Sequence, residues 1–408
     1  MKLVISKKKI NIFLLLLILI WYVVPIVQER GGMLAIGVLI FLWLLTCDLN
    51  KVIRAAPRLF PYLTMLFVLS MWLLWGVKYY GGIETLYFVC STFLMFFPTI
   101  LFWYYYKNIE LSQINWIAFV FWGGLLFGAI NTYVVLEEYP IASRLMATSS
   151  GDIYSKMGAG GYGFAYSLMI AFPFLMEVRR TSKSRILKLI YLAIMLFFVA
   201  TIIKCEYTTC LLLLFVGVAL HLMLRTNMVL GIIALSFLPV LFVFEDGVGN
   251  LFLYLADVFK ETEVIAVRLR DVATGFLNSD MSTMESSRYS LYMESLNGFL
   301  QYPVLGSGLH GTIISGGHST ILDTLAIYGI GGFLAVLYSL TGSFKKIIKS
   351  VDGRSKSIYL AVIIVFWLLT ALNPTIYIYQ LGIVIFLVGP LSVCAKDGGK
   401  LNESQSSS

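Results

Sequence analysis

Residues 7–31 read KKKINIFLLLLILIWYVVPIVQERG. Three lysines lead into Ile10–Val27, an apolar stretch close to the ~20 residues a helix needs to cross the hydrocarbon core of a bilayer. Such a start resembles a secretory signal, but no small-x-small cleavage pattern follows. The chain continues through Gln28-Glu29-Arg30-Gly31 straight into another apolar stretch. The segment therefore reads as a retained first span.

Composition extends that reading to the whole chain. Hydrophobic residues make up 59% of 408 positions and charged residues 13%, against roughly 45–50% and about 25% in ordinary soluble domains. A soluble protein of this size cannot bury so much apolar surface, so lipid must form part of its solvent. The aromatic residues are placed accordingly: Tyr79-Tyr80 and Trp103-Tyr104-Tyr105-Tyr106 sit at the ends of apolar stretches, where Tyr and Trp settle at bilayer interfaces. Apolar stretches can be drawn at 10–27, 32–47, 59–78, 83–106, 114–136, 159–176, 186–203, 208–224, 228–244, 319–342, 358–373 and 378–394. The expected fold is all-α, a single polytopic membrane domain over residues 1–408 with about twelve transmembrane helices.

The net charge of +8 does not indicate nucleic acid, because the basic residues lie in short loops between spans. With the N-terminus inside, 21 of the 30 Lys and Arg residues fall in cytoplasmic segments, and 16 of the 22 acids fall outside. That bias follows the positive-inside rule and places both termini in the cytoplasm. The five cysteines, Cys47, Cys90, Cys205, Cys210 and Cys394, show neither a disulfide framework nor zinc-ligand spacing, and read as small buried hydrophobes. The Ser-rich tail at 395–408 reads as disordered.

Two outer segments are long, 137–157 and 245–317, and long loops tend to carry function. Within the second, Ser282-Thr283-Met284-Glu285 forms a capping box. Tyr289, Tyr292, Met293, Leu296, Phe299 and Leu300 then recur at helical spacing, Gly298 weakens the helix, and Pro303 ends it. Other patterns are set aside. Gly158-Ala159-Gly160-Gly161-Tyr162-Gly163 matches G-x-G-x-x-G literally, but it opens a membrane helix outside any βαβ unit, so close helix packing is the better reading. The acidic pairs Glu137-Glu138 and Glu245-Asp246, and the run Glu261-Thr262-Glu263, read as solvated faces.

The informative stretch is 286–332. It holds Ser286-Ser287-Arg288, then Pro303-Val304-Leu305-Gly306-Ser307-Gly308, then His318-Ser319 opening a span that continues through Gly329-Ile330-Gly331-Gly332. Asp323 lies five residues beyond His318, roughly 1.4 helical turns deeper. Ionisable groups at a span mouth are expensive and mark function, and an imidazole suits proton transfer near neutral pH. Arg268 and Arg270 share the long loop with Arg288, and Arg144 lies in the other long outer loop. Planar, permanently charged guanidinium groups fit phosphate. The set therefore suits a phosphate-bearing substrate and a hydroxyl to be deprotonated, although each Arg could instead pair with Asp257, Glu261, Asp271 or Glu285.

At these residues the chain resembles the O-antigen polymerase and O-antigen ligase family, the Wzy-type polymerases and their relatives. In that family a long extracytoplasmic loop carries a small-small-Arg element, a Pro-x-x-Gly-x-Gly turn and a His that opens the next span. The match covers 286–332 closely, and the multi-span layout agrees over the whole chain. Two departures stand out: Ser319 occupies a position where the family commonly has Asn, and Lys204 stands at a short outer turn where members often carry Arg.

The resemblance implies a membrane-embedded glycosyltransferase of the C type, working without a cofactor or metal. The donor would be an undecaprenyl-diphosphate-linked oligosaccharide, transferred with inversion onto a lipid-linked acceptor. Arg288, with Arg268, Arg270, Arg144 or Lys204, would bind the diphosphate. His318 would be the base, oriented by Asp323. A chain-length regulator and a flippase of the same pathway are the expected protein partners, beside the lipid bilayer. A ligase that moves finished glycan to its final acceptor is the alternative inside the family. A lipid-oligosaccharide or sugar transporter is the alternative outside it.

Overall fold

The computed structural model describes residues 6–55, 82–106, 109–140, 142–146, 152–205, 207–225, 245–260, 266–267, 269–270, 273, 281–310, 314–351 and 353–394. Every regular element among them is helical. In chain order the main helices are α1 (Lys7–Val23), α2 (Pro25–Thr46), α3 (Gly82–Tyr105), α4 (Leu111–Glu138), α5 (Tyr162–Thr181) and α6 (Arg185–Cys205). They continue with α7 (Thr208–Arg225), α8 (Met281–Gln301), α9 (Thr320–Ser350), α10 (Gly353–Leu372), α11 (Tyr379–Ile383) and α12 (Gly389–Cys394). A π turn, Val384–Val388, joins the last two. A further helix, Glu245–Val258, lies in the long loop.

Five of these helices are long and apolar enough to cross a membrane, within Pro25–Thr46, Ser112–Glu138, Arg185–Cys205, Thr320–Ser350 and Ser355–Leu372. Cys90–Tyr105, Thr209–Leu224 and Tyr379–Ser392 are shorter apolar helices. The chain is thus an all-α protein with the helices of a multi-pass membrane protein. The stretches expected at 59–78 and 228–244 lie outside the described residues, as does the tail at 395–408.

The centre of the bundle is α5, buried from Phe164 to Leu175 and packed on α6, α7, α10, α11 and α12. The segment 381–392 is buried throughout beside it. The outer helices turn apolar side chains outward instead: Leu34, Phe41 and Leu45 on α2, Phe119 and Val134 on α4, and Ile186, Leu189 and Leu196 on α6 are all exposed. In water such a surface would be unstable; against lipid it is the expected one. Because lipid removes the hydrophobic drive between helices, close approach of small residues and interhelical hydrogen bonds take over. A Cβ at Gly128 would lie 2.8 Å from Pro25 and 2.9 Å from Phe164, so α4 meets α2 and α5 through that glycine. The Gly158–Gly163 run has the same use: a Cβ at Gly163 would come within 2.9 Å of Gln380 and Ile378.

Asn11, the amide inside the opening apolar stretch, is buried and engaged at both ends. Its Nδ2 donates to Thr46 Oγ1 at 2.7 Å, and its Oδ1 accepts from the Tyr105 hydroxyl, which in turn accepts from Trp43 Nε1 at 2.7 Å. These bonds tie α1, α2 and α3 together.

Two details differ from the sequence expectation. The first helix stops at Val23, earlier than the expected Val27, because Pro25 opens α2 from its first position, where its missing N–H does no harm. Both α2 and α9 are also broken. Gly32 (φ 60°, ψ −172°) and Gly329 (φ 63°, ψ −170°) interrupt them with the same backbone geometry, one open in practice only to glycine.

The helices also sort charge by end. Lys8 bonds Glu110, Asp48 bonds Tyr104, Tyr106 bonds the Ser350 carbonyl, and Lys346 lies 3.6 Å above the Trp103 ring. These ends of α1, α3, α4 and α9, with the lysines of α1 and α9, therefore meet on one side of the bundle. The starts of α5, α9 and α11 and the end of α1 meet on the other.

Candidate functional site

Asp323 organises that second end. It sits 2% exposed in the first turns of α9. Its Oδ1 accepts from Ser295 Oγ at 2.6 Å, Ser315 Oγ at 2.8 Å and the Gly317 N–H at 3.2 Å, and its Oδ2 accepts from the Ser319 N–H at 2.9 Å. Four donors on one carboxylate are what a buried charge needs in order to stay buried. A negative charge in the first turns of a helix is further favoured by the helix dipole.

The two peptide N–H groups that Asp323 binds, Gly317 and Ser319, flank His318. The carboxylate thus fixes the backbone on either side of the imidazole and makes no hydrogen bond to the ring. His318 is half-buried and, among the described residues, has no hydrogen-bond partner, which leaves both ring nitrogens available for proton transfer. Ser319 is the N-cap of α9, its Oγ accepting from the Leu322 N–H at 3.3 Å. Ser is among the favoured N-cap residues.

The apolar stripe expected on 289–300 is half-buried at Tyr292, Met293, Leu296 and Phe299, but the most buried positions of α8 lie beside it. Ser295 and Gly298 are buried, whereas Leu300 is 64% exposed. The reason is the neighbour. The segment 314–317 lies along this face, its Gly316 N–H donating to Ser295 Oγ at 2.9 Å. A Cβ at Gly298 would collide with the Ile314 carbonyl, and one at Gly316 with the Leu291 carbonyl. A hydroxyl and two absent side chains suit this contact better than a row of large apolar groups. Tyr292 Oη, bonded to the Leu372 carbonyl at 3.1 Å, fastens α8 to the end of α10.

The Pro303–Gly308 turn explains the break at Gly329. Where α9 opens, the Ile330 N–H has left Ala326 and donates to the Pro303 carbonyl at 2.9 Å. The vacated Ala326 carbonyl accepts from Ser307 Oγ at 2.9 Å. The turn thus repairs the helix it interrupts, as it must wherever backbone is removed from water. Contact is backbone on backbone: a Cβ at Gly306 would strike the Ile327 carbonyl, and one at Gly329 the Val304 carbonyl.

The cationic residues distribute less simply. Arg270 pairs with Asp257 at 3.3 Å on an exposed surface, the ordinary ion pair that the sequence also allowed. Lys204 is bound to Glu137 at 2.5 Å and lies 5.7 Å from the Tyr133 ring. Arg288 is on α8 and Arg144 on the helix Ala142–Leu145, with side chains outside the described residues, and Arg268 lies outside them altogether.

Sequence reasoning missed the loop 373–378. Thr320 Oγ1 donates to the Asn373 carbonyl at 3.2 Å, and the Thr375 N–H donates to Thr320 Oγ1 at 2.6 Å, so this loop is sewn to the start of α9. Burial pushes the Tyr377 phenol well above its usual pKa, with Tyr328 and Asp323 adding to the effect, which places Tyr377 in the field of Asp323. The signal available was Asn373-Pro374, a turn between two apolar stretches; nothing in the spacing tied it to residue 320. No protein-family model matches the chain, and no curated protein matches it.

Proposed function

We propose that the chain is a membrane glycosyltransferase that polymerises a surface polysaccharide. It would transfer an undecaprenyl-diphosphate-linked oligosaccharide onto a lipid-linked acceptor repeat unit at the outer face of a bacterial plasma membrane. One observation carries this reading. The three elements on which the family resemblance rests are packed into a single unit: α8 with Ser286-Ser287-Arg288, the Pro303–Gly308 turn, and the start of α9 with His318. In this reading His318 takes the proton of the acceptor hydroxyl as it attacks the anomeric carbon. Asp323 acts as a positioning residue through the peptides it holds. Arg288, with Arg144, Arg268, Arg270 or Lys204, stabilises the departing lipid diphosphate electrostatically. The charge bias implies twelve spans with both termini cytoplasmic, which puts residues 245–317 outside.

A transporter is the second reading, and the broken helices α2 and α9 are the observation that favours it, since discontinuous helices line transporter sites. Against it, the break in α9 is filled by the 303–308 turn. The two readings separate on a sizing gel of lipid-linked glycans from a deletion strain. Lipid-linked single repeat units displayed outside the cell, with no ladder above them, support the polymerase. Units trapped inside support the transporter, and a normal lipid-linked ladder that never reaches its final acceptor supports a ligase. In the polymerase case, His318→Ala lowers polymer output by about 10²- to 10⁴-fold, the usual contribution of a general base. Undiminished output from that variant removes His318 from the mechanism.

A further inference from the structure

A cavity of ≈ 350 Å³ opens beside the break in α2, between the end of α1, the start of α5 and the loop 377–380. That lies within the range of small-molecule sites, about 300–1,000 Å³. Four aromatic residues line it, Trp21, Phe164, Tyr377 and Tyr379, with Trp21 and Tyr379 at 5.0 Å between ring centroids. Two amides face each other across it: Gln380 Nε2 donates to Gln28 Oε1 at 2.9 Å, and Gln28 Nε2 is anchored on the Tyr22 carbonyl at 2.6 Å. Gln380 Oε1 and a further N–H on each amide remain unspent. The start of α5 joins this wall through Gly161 and Gly163, and its N-cap, Gly161, supplies no side-chain cap.

The electrostatics select the ligand class. Among the described residues lining the cavity, Glu29 carries the only charge. A carboxylate disfavours phosphate and other anions, and the uncapped N-terminus of α5 disfavours cations. A neutral molecule with many hydroxyl groups meets neither objection. Its hydroxyls can accept from the amide N–H groups and the α5 N–H groups, and can donate to Gln380 Oε1 and Glu29. Its C–H faces can lie on the aromatic rings. Tyr377 belongs to this wall, and its loop is bonded to the start of α9 through Asn373, Thr375 and Thr320, so the cavity adjoins the His318 corner.

We infer that this cavity is a binding subsite for a neutral saccharide, and that it holds the phosphate-free sugar end of the acceptor beside His318. The acceptor assignment rests on the glycosyltransferase reading; saccharide binding by the cavity does not. The test uses the full chain in lipid nanodiscs, titrated calorimetrically with the phosphate-free oligosaccharide released by hydrolysing the host cell's own surface polysaccharide. The expected result is saturable binding that saturating inorganic diphosphate leaves unchanged. Gln380→Ala and Gln28→Ala each weaken it about tenfold or more, while eluting and melting like the parent. No binding to the parent chain, displacement by diphosphate, or full affinity in both variants overturns the subsite. His318→Ala separates the two proposals, because it should abolish polymer and leave oligosaccharide binding intact. Binding retained with polymer output also unchanged removes His318 from the mechanism and leaves the subsite standing. Lost polymer with a parent chain that never bound saccharide does the reverse.

Discussion

Asp323 serves four donors, two of them on Ser295 and Ser319, each 1% exposed, while Ser315 is half-buried and Gly317 exposed. Removing the carboxylate leaves these donors unpaired, at about 1–3 kcal/mol for a buried group left without its partner. Asp323→Ala should therefore lower the unfolding free energy in detergent by about 3 kcal/mol or more, and Ser315→Ala by about 1 kcal/mol. An Asp323→Ala chain as stable as the parent would mean that the carboxylate holds nothing in place. The sequence showed that a charge at residue 323 needs a reason. It could not show the partners, because Ser295 and Ser315 look like any other serines until α8 and the 314–317 segment are laid side by side. Gln28 was legible only as part of a short connection, since its amide partner Gln380 stands 352 residues away.

Among the elements, ten of the twelve apolar stretches drawn on the sequence coincide with described helices, since segment length and apolarity are local properties. The breaks at Gly32 and Gly329 were not legible. Glycine is common inside membrane helices, where it usually serves close packing, and Gly31, Gly32, Gly329, Gly331 and Gly332 look equivalent in sequence. Backbone geometry separates them and makes a prediction. Gly329→Ala forces a Cβ onto a left-handed backbone and into the Val304 carbonyl. It should cost about 2 kcal/mol or more, from strain of about 1–3 kcal/mol together with displacement of the turn. Gly331→Ala meets only Val304 O at an ordinary 3.7 Å and should leave the melting temperature of the purified chain within a few degrees of the parent. Equal effects at the two positions would contradict the break as described.

For the whole molecule, Lys and Arg placement in the sequence predicts an orientation with both termini cytoplasmic and residues 245–317 outside. The positive-inside bias is set loop by loop, without reference to tertiary structure. It predicts opposite labelling of two exposed residues, Ser290 on α8 and Lys183 after α5. In a background without native cysteines, Ser290→Cys should react with a membrane-impermeant maleimide on intact cells, and Lys183→Cys only after permeabilisation. The reverse pattern would turn the molecule over and move the Asp323 corner to the cytoplasm. The repaired break in α9 also bears on how the protein is made. A ribosome delivers the Pro303–Gly308 turn before the helix that it mends, and residues 320–328 are too few to cross a bilayer by themselves. Residues 330–350 can insert as an independent span. The turn and the half-helix must then settle together, as a late and joint step of biogenesis that insertion alone does not complete.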